Sequence, residues 1–591
     1  MNILGIHYGH NATVAYIKDG KLEFAMSEER FNRLKNSNGF PVLTLDYVYK
    51  NYVSPNQVDK VVIFQKDIAG YLGMKRVGFK SVRDFGTFNV NFQRRYSFKK
   101  HVFSKFPGIN FARSFVGKSI KKYYAWKDKQ TQESLKYFSK MLQVPTEKIS
   151  FCFHHASHAF AACMNLEEKK KTLVLTMDGE GDGESSTVSV YENFKLVKLS
   201  SNPVGVSLGY FFTEITKFLG MTPNEHEFKV MGLAPYAKQE KARELYEKFK
   251  DLVVLNTDLE FESKIPINKL EYYFLENLYA QRFDTVSAFA QIFLEEKVLE
   301  WVKAWVKKTG IRELAVSGGV FMSVKLNQKI SELAEVDSLF VMPSGADEST
   351  AIGAAFFGYL NKSQENKITP SPVKFKDLYL GNSYSSFQVS EILKNLDIEK
   401  KFNITEFKNE FEIEKQVAKL LSENQVVARF KGRTEWGARA LGNRSILANP
   451  TSRDNLRIIN EMIKNRDFWM PFAASVLEED EKRYLINPKN IKAPYMAITF
   501  STTDLGQKHL PAAIHPYDFT CRPQIVYKDW NKEYHALISE FKNLTGIGGV
   551  LNTSFNLHGE PNVESPQDAL RTLENSGLKY LALENYLISK K

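Results

Sequence analysis

One pattern occurs twice in this chain, and it restricts the fold more than any other feature. Residues 2–27 read as strand, turn, strand, turn, strand: NILGIHYG, then NATVAYI, then KLEFAMS after Asp19-Gly20. Alternating apolar and polar residues predict strands, and Asp-Gly is a preferred two-residue hairpin turn. Residues 171–200 repeat the arrangement as KTLVLTMDGEGDG, SSTVSVYE and FKLVKLS. In each copy the first strand runs into a small polar loop. Two unrelated β-meanders would leave the same trace, so the hairpins alone keep both readings open. Helical periodicity follows at 205–220 and 284–308. ELAVSGG (313–319) reads as a buried strand entering a Gly-Gly turn, and PSGADESTAIGAA (343–355) as a loop feeding a small-residue helix. Residues 361–374 are polar and Pro-containing and read as a linker. A second α/β domain is expected from about 375 to the end.

Length agrees with two or more domains, because 591 residues exceed what one simple core organises. The three cysteines, Cys152, Cys163 and Cys521, have no CxxC spacing and suggest neither a disulfide framework nor a zinc site. A reducing compartment fits them, and with no signal-like leader or membrane-length apolar run the expectation is a cytoplasmic protein without a membrane partner. The net charge is +12 (80 minus 68), which suits anionic small substrates, nucleic acid or a membrane surface. Part of the excess is local: residues 85–127 hold ten Lys or Arg and no Asp or Glu. A solvated basic insertion and a surface for an anionic acceptor both fit that run.

Three groups of residues could carry chemistry. In HHASHAF, His154 and His158 are spaced i, i+4 on one helical face, as two imidazoles on one metal require. Asp347, in SGADES, is the candidate third ligand. Two His and one carboxylate with open positions suit Fe(II), and other divalent ions fit as well. Polar packing at a helix start is the alternative. The second group is Asp178-Gly179-Glu180-Gly181-Asp182-Gly183, whose glycines allow close approach to a phosphate and whose carboxylates suit a hydrated divalent cation. Gly318-Gly319 could likewise approach an adenosine. The third is a set of cations in Gly- and Asn-rich turns: Arg433, Arg439, Arg444, Lys464, Arg466 and Arg522, with LNTSFNLHGEP (551–561) nearby. Arg offers a planar fork of donors and Lys a point charge, so the set suggests a polyanion pocket, with surface charge as the alternative.

Taken together, HHASHAF, EHEFKVMGLAPY (225–236), SGGVFMSVKLN (317–327), GRTEWGARALGNRSIL (432–447) and NTSFNLHGEP (552–561) resemble the O-carbamoyltransferases of antibiotic and nodulation-factor biosynthesis. The two meanders are similar to the duplicated half-domains of the actin, sugar kinase and Hsp70 ATPase superfamily. The resemblance implies an actin-like domain over 1–365, related to the tRNA threonylcarbamoyl transferase, with a basic insertion at about 66–150. It implies a threonylcarbamoyl-AMP synthase-like α/β domain over 375–591. The reaction implied is formation of carbamoyl-AMP from carbamoyl phosphate and ATP, then transfer to a hydroxyl of a natural product or sugar. Mg would accompany ATP, a divalent metal (Fe(II) by the ligand set above) would sit in the transfer site, and an oligomeric assembly stays open.

By position, His154, His158 and Asp347 match the family's metal ligands, with His155 the weaker candidate. His10 matches a histidine that would act as general base. Asp178, with Gly179, Gly181, Gly318 and Gly319, matches nucleotide-side positions. Lys464, Arg466, Arg522 and Asn556 match the adenylation pocket beside Arg433, Arg439 and Arg444. Asn11, Ser323, Ala438, Met470 and Ala474 depart from the family pattern. A tRNA threonylcarbamoyladenosine-type modification enzyme is the competing reading. It would need an RNA-binding module or a longer basic stripe, and no nucleic-acid partner is expected because neither is evident.

Overall fold

Each copy of the repeated meander folds into three antiparallel strands, and each is extended by two parallel strands. In the first sheet, β1 (Asn2–His7), β2 (Thr13–Lys18), β3 (Lys21–Ser27), β4 (Lys60–Phe64) and β5 (Ile149–Cys152) lie in the order β3-β2-β1-β4-β5. In the second, β6 (Thr172–Gly181), β7 (Glu184–Glu192), β8 (Lys195–Pro203), β9 (Glu313–Ser317) and β10 (Ser338–Val341) lie in the order β8-β7-β6-β9-β10. The same order with the same strand directions, repeated in one chain, is the duplicated actin-like arrangement. This computed structural model describes residues 1–64, 134–396, 398–464 and 467–591. The basic run at 85–127 and Arg466 lie outside the described residues.

Turn chemistry sets both hairpins. Asp19 and Gly20 take φ of 49° and 84°, and Asn193 and Phe194 take 50° and 60°. Two consecutive left-handed residues match the right-handed twist of the flanking strands. Two helices fill the space between the sheets. Helix α1 (His154–Cys163) lies on β6 and β9, and helix α4 (Ser349–Glu365) lies on β1 and β4, with α1 against α4. Small residues permit this closeness. A Cβ on Gly353 would meet the Ser157 carbonyl oxygen at 1.7 Å, and one on Gly5 would meet that of Ala351 at 1.9 Å. Between them in the chain, α2 (Leu208–Phe218) lies on β6, and the long α3 (Phe283–Thr309) packs against α2. Trp301 and Trp305 of α3 are buried there, and full burial of a large apolar side chain contributes about 1.5–3 kcal/mol.

The chain after α4 builds a third, eight-stranded mixed sheet from β11 (Phe402–Glu406), β12 (Val427–Phe430), β13 (Arg444–Ala448), β14 (Ala473–Leu477), β15 (Pro523–Val526), β16 (Gly549–Ser554), β17 (Tyr580–Leu583) and β18 (Tyr586–Lys590). Its order is β11-β18-β17-β12-β13-β16-β14-β15. Helix α4 runs to Glu365, so the start of the expected 361–374 linker is helical. The rest of that segment is tied down, since the Val373 N–H donates to the Gly20 carbonyl at 2.9 Å. Among the described residues, no helix is long and apolar enough to cross a membrane.

Candidate active site

The loops at the ends of β1 and β6 meet the first turns of α1 and α4, and the side chains gathered there form a dense polar centre. His154 and His158, one helical turn apart on α1, place their Nε2 atoms 3.0 Å from each other. Asp178, in β6, brings Oδ2 to 3.1 Å from His158 Nε2 and 3.8 Å from His154 Nε2. Asp347, just before α4, brings Oδ1 to 3.6 Å from His154 Nε2 and 3.9 Å from His158 Nε2. One ligand atom from each of the four residues lies within 4.8 Å of all the others. A single divalent ion bound at about 2.0–2.2 Å by each N or O ligand needs a spread of about that size.

The surroundings fix these side chains. His158 Nδ1 is 2.9 Å from Ser349 Oγ. A proton on Nδ1 leaves the Nε2 lone pair facing the cluster, the second-sphere support that metal histidines require. The His154 backbone N–H donates to Asp182 Oδ2 at 2.7 Å, so a carboxylate stands at the helix start. Asp178 Oδ1 accepts from the Gly179 N–H at 2.6 Å, and Oδ2 from the Gly319 N–H at 3.2 Å. A Cβ on Gly181 would sit 2.2 Å from the His154 ring, and one on Gly318 (φ 109°) would sit 2.2 Å from the Met177 carbonyl oxygen. Gly181 therefore lets the β6 loop close on His154, and Gly318 lets the Gly-Gly turn close on β6.

The electrostatics suit an ion. Burial alone would depress His154, but the Asp178 and Asp347 carboxylates outweigh it and bring it up to about 9. Burial lowers His158. Burial and the neighbouring Asp178 charge push Asp347 up to about 7, whereas the two imidazoles hold Asp178 well below the usual carboxylate range against its own burial. Without a metal the four groups share protons; a divalent cation would replace them.

His155 is turned away: Nδ1 pairs with Thr176 Oγ1 at 2.8 Å and Nε2 with the Glu184 carbonyl at 3.1 Å. His10 follows β1 at the mouth of the centre, and its Nε2 is buried with no hydrogen-bond partner among the described residues. His7, which sequence reasoning passed over as a strand residue, holds this loop. Its Nε2 meets the His10 carbonyl at 2.7 Å, its Nδ1 meets Thr350 Oγ1 at 2.7 Å, and its Nε2 is 4.0 Å from Asp347. Asp178, expected with the nucleotide, stands beside His154 and His158. The glycine-rich run around it had pointed to phosphate, and only the fold brings α1 alongside.

The C-terminal cations divide into two sorts. Arg433 and Arg444 build their own loop. Arg433 donates to the carbonyls of Gly381, Glu23 and Leu380 at 3.0, 2.7 and 2.8 Å. Arg444 is fully buried, donates to the carbonyls of Lys431, Gly432 and Asn443 at 3.0 Å, and stacks 3.5 Å from the Phe430 ring centre. Several of their donors thus go to backbone carbonyls, while Arg444 Nε is buried without a hydrogen-bond partner among the described residues. Lys464, also buried, donates to the Ser554 carbonyl and to Asn556 Oδ1, and reaches the Asn556 carbonyl at 3.1 Å. Asn556 is anchored by its Nδ2 donating to the Glu560 carbonyl at 2.6 Å. Arg522 sits half-buried between Cys521 and β15. Arg439 belongs to the turn Gly437–Arg439, which seats on the Asp347 loop: the Ala438 N–H donates to Ser344 Oγ at 2.9 Å, and Ser344 Oγ donates to Glu348. Burial lowers Arg439 while the Glu348 carboxylate acts to raise it.

The chain matches the family model for the carbamoyltransferase N-terminus over residues 2–356 and that for the carbamoyltransferase C-terminus over residues 418–590. It belongs to the carbamoyltransferase family and is an enzyme of that class. An uncharacterized protein of Methanocaldococcus jannaschii is 32% identical to it over 592 residues, covering 100% of this chain and 99% of that one. Nodulation protein NolNO of Sinorhizobium fredii is 28% identical, over 98% of this chain and 79% of its own. Nodulation protein NolO of Bradyrhizobium diazoefficiens is 31% identical, over 74% and 79% respectively. Among solved structures, component A of the (R)-2-hydroxyglutaryl-CoA dehydratase of Acidaminococcus fermentans covers 62% of this chain and 99% of its own, at 12% identity and a TM-score of 0.33.

Proposed function

We propose that this enzyme is an ATP-dependent O-carbamoyltransferase working in the cytoplasm, with carbamoyl-AMP as its intermediate. Residues 375–591 form the adenylate and residues 1–365 transfer its carbamoyl group. The supporting observation is the seat of the Gly437–Arg439 turn on the Asp347 loop, which places the C-terminal region directly against the histidine–aspartate centre. Mass balance sets the first half-reaction. Water cleaves carbamoyl phosphate to carbamate and phosphate. A carbamate oxygen then attacks the α-phosphorus of ATP, and the bond to the β-phosphate breaks to release pyrophosphate. Lys464, Arg466, Arg522 and Asn556 are the residues proposed to neutralise and orient these anions. Adenylation gives carbamate a good leaving group, AMP.

In the second half-reaction an acceptor hydroxyl attacks the carbamoyl carbon and AMP leaves. Its proton goes to His10, whose Nε2 is buried without a partner beside the centre and whose pKa burial depresses, so the imidazole is neutral and able to accept it. His154, His158, Asp347 and Asp178 would hold the divalent ion, with Fe(II) the proposed identity; when bound it supplies Lewis acidity toward the carbamoyl oxygen. The nodulation relatives favour a sugar or natural-product hydroxyl as the acceptor. The test is incubation of the metal-loaded enzyme with ATP, carbamoyl phosphate and a panel of hydroxyl acceptors. A carbamoyl mass increment on one acceptor, with pyrophosphate released in equal amount, is expected. ATP consumption that does not depend on carbamoyl phosphate would refute the reading.

A further inference from the structure

The short helix Glu29–Asn32 that follows β3 has no part in either half-reaction, yet both of its arginines reach the C-terminal region. Arg30 is 6% exposed, and its Nη2 donates to the Gly437 carbonyl at 2.9 Å. Arg33 closes the helix in a left-handed conformation, φ 61°. Its Nη1 and Nη2 donate to the carbonyls of Asn562 and Pro561 at 2.7 and 2.8 Å, and its Nε lies 3.4 Å from Asp568. Two arginines three residues apart thus grip two different C-terminal loops. One is the Gly437–Arg439 turn on the Asp347 loop. The other, at 556–562, begins at Asn556, the partner of Lys464.

The helix itself is fixed to the transfer side. Glu29, beside Arg30, accepts from the Asn36 N–H at 2.9 Å, and Asn36 donates to Glu225 at 2.9 Å. Glu28 caps the following helix by accepting from the Leu43 and Thr44 N–H groups at 3.0 and 2.9 Å. A guanidinium is always charged, and burying one is unfavourable unless its donors are used. Here Arg30 Nη2 and both Arg33 Nη atoms are used across the seam, so these contacts tie loops of one region to the other.

We propose that Arg30 and Arg33 are positioning residues that hold the 437–439 turn and the 556–562 loop against the transfer centre, so that the adenylate passes to it without escaping into water. This rests on the adenylate reading above. A loose seam would leave formation of carbamoyl-AMP intact and raise its loss to solvent, where it hydrolyses. Ser344 is the opposing contact, since its Oγ accepts from Ala438 and donates to Glu348.

The experiment supplies the metal-loaded full chain with ATP and carbamoyl phosphate alone, filters the mixture rapidly, and compares adenylate (with its AMP product) retained by the protein against that in the filtrate. Pyrophosphate and bound metal are measured in parallel. For wild type, retained adenylate is expected. For Arg30→Ala, Arg33→Ala and Ser344→Ala, pyrophosphate release and metal content should stay at wild-type levels while the free fraction rises about tenfold, the scale of one or two lost buried hydrogen bonds. Arg30→Lys, which keeps a donor for the Gly437 carbonyl, should restore part of the retention. Should an arginine variant fail to fold, Ser344→Ala still decides the matter. Retention unchanged in all variants, a parallel fall of pyrophosphate release and retention, or loss of metal from Ser344→Ala would each overturn the proposal. Wild type that makes no adenylate would instead refute the two-step reading.

Discussion

The two five-stranded sheets share strand order and direction, yet the loops at the ends of their first strands do different work. β1 stops at His7, which fixes the His10 backbone in the loop beyond it, and His10 Nε2 is buried there without a hydrogen-bond partner among the described residues. β6 runs on to Gly181, breaking its register with β7 between Met177 and Gly181, and supplies the Asp178 carboxylate together with glycines that admit the His154 ring. Topology decides that the two loops converge. The residues in them differ: imidazoles on one side, a carboxylate among glycines on the other.

The largest break in this contrast comes from the helix that both halves share. His158→Ala removes an imidazole from the cluster and leaves Asp178 and Asp347 facing each other with one neutral partner fewer. Metal measured by elemental analysis should fall to background and carbamoyl transfer should vanish, while pyrophosphate release continues. Stoichiometric metal in His158→Ala would sink the four-residue site. Next in size is His10→Ala, which touches only the first-sheet side. Transfer from supplied carbamoyl-AMP in single turnover should drop by about 10²–10⁴, the range for a positioned general base, with metal and adenylate affinity retained. Weaker adenylate binding with normal transfer at saturation would make His10 a binding residue.

The frame of this contrast was legible in the sequence, because hairpins and amphipathic helices are local. The Asp19-Gly20 turn, both meanders, and the α1 and α4 starts follow from turn chemistry and period. The shared helical face of His154 and His158 was legible for the same reason, since i,i+4 spacing is a local fact; Asp347 stands in SGADES as a candidate, and the fold places it beside them. What the sequence did not disclose depends on neighbours far along the chain. Whether His155 or His158 faces the centre depends on Thr176 and Ser349. Asp178 reads as a phosphate-loop residue until α1 is seen beside it. Nothing in the spacing of Arg433 and Arg444 reveals that backbone carbonyls from Glu23 to Asn443 accept several of their donors.

Gly181→Ala sharpens the comparison on the second-sheet side. Its backbone is compatible with alanine, so the effect is steric: the new Cβ would fall 2.2 Å from the His154 ring. The ring must rotate out of line with Asp178 and Asp347. Metal affinity should fall by about 10–100-fold, the usual result of disturbing a ligand's support, and transfer should be recovered by added metal. Wild-type metal affinity in Gly181→Ala would show that the histidine can shift without cost, and that the loop's glycines serve something other than close approach.

The smallest effect expected is that of the matching substitution in the first loop, Gly9→Ala. Gly9 has φ 105°, a conformation alanine rarely adopts, but a Cβ there would have Asn38 Oδ1 at 3.9 Å as its nearest neighbour. Strain is therefore the whole cost, and space plays no part. Holding an L-residue in such a conformation costs about 1–3 kcal/mol. The cost falls on the short pairing of Gly9 and His10 with Asn38 and Gly39, which carries His10 toward the centre. No metal ligand is contacted, so metal content should match wild type. The expected outcome is a lower midpoint in urea unfolding, a modest fall in transfer from supplied carbamoyl-AMP, and unchanged pyrophosphate release. Gly181→Ala should differ from it in the metal readout, with metal affinity weakened about 10–100-fold. If Gly9→Ala loses metal, or if the two substitutions give the same profile, the division of labour between the two loops is wrong, and the first loop must be part of the cation site and not its proton-accepting wall.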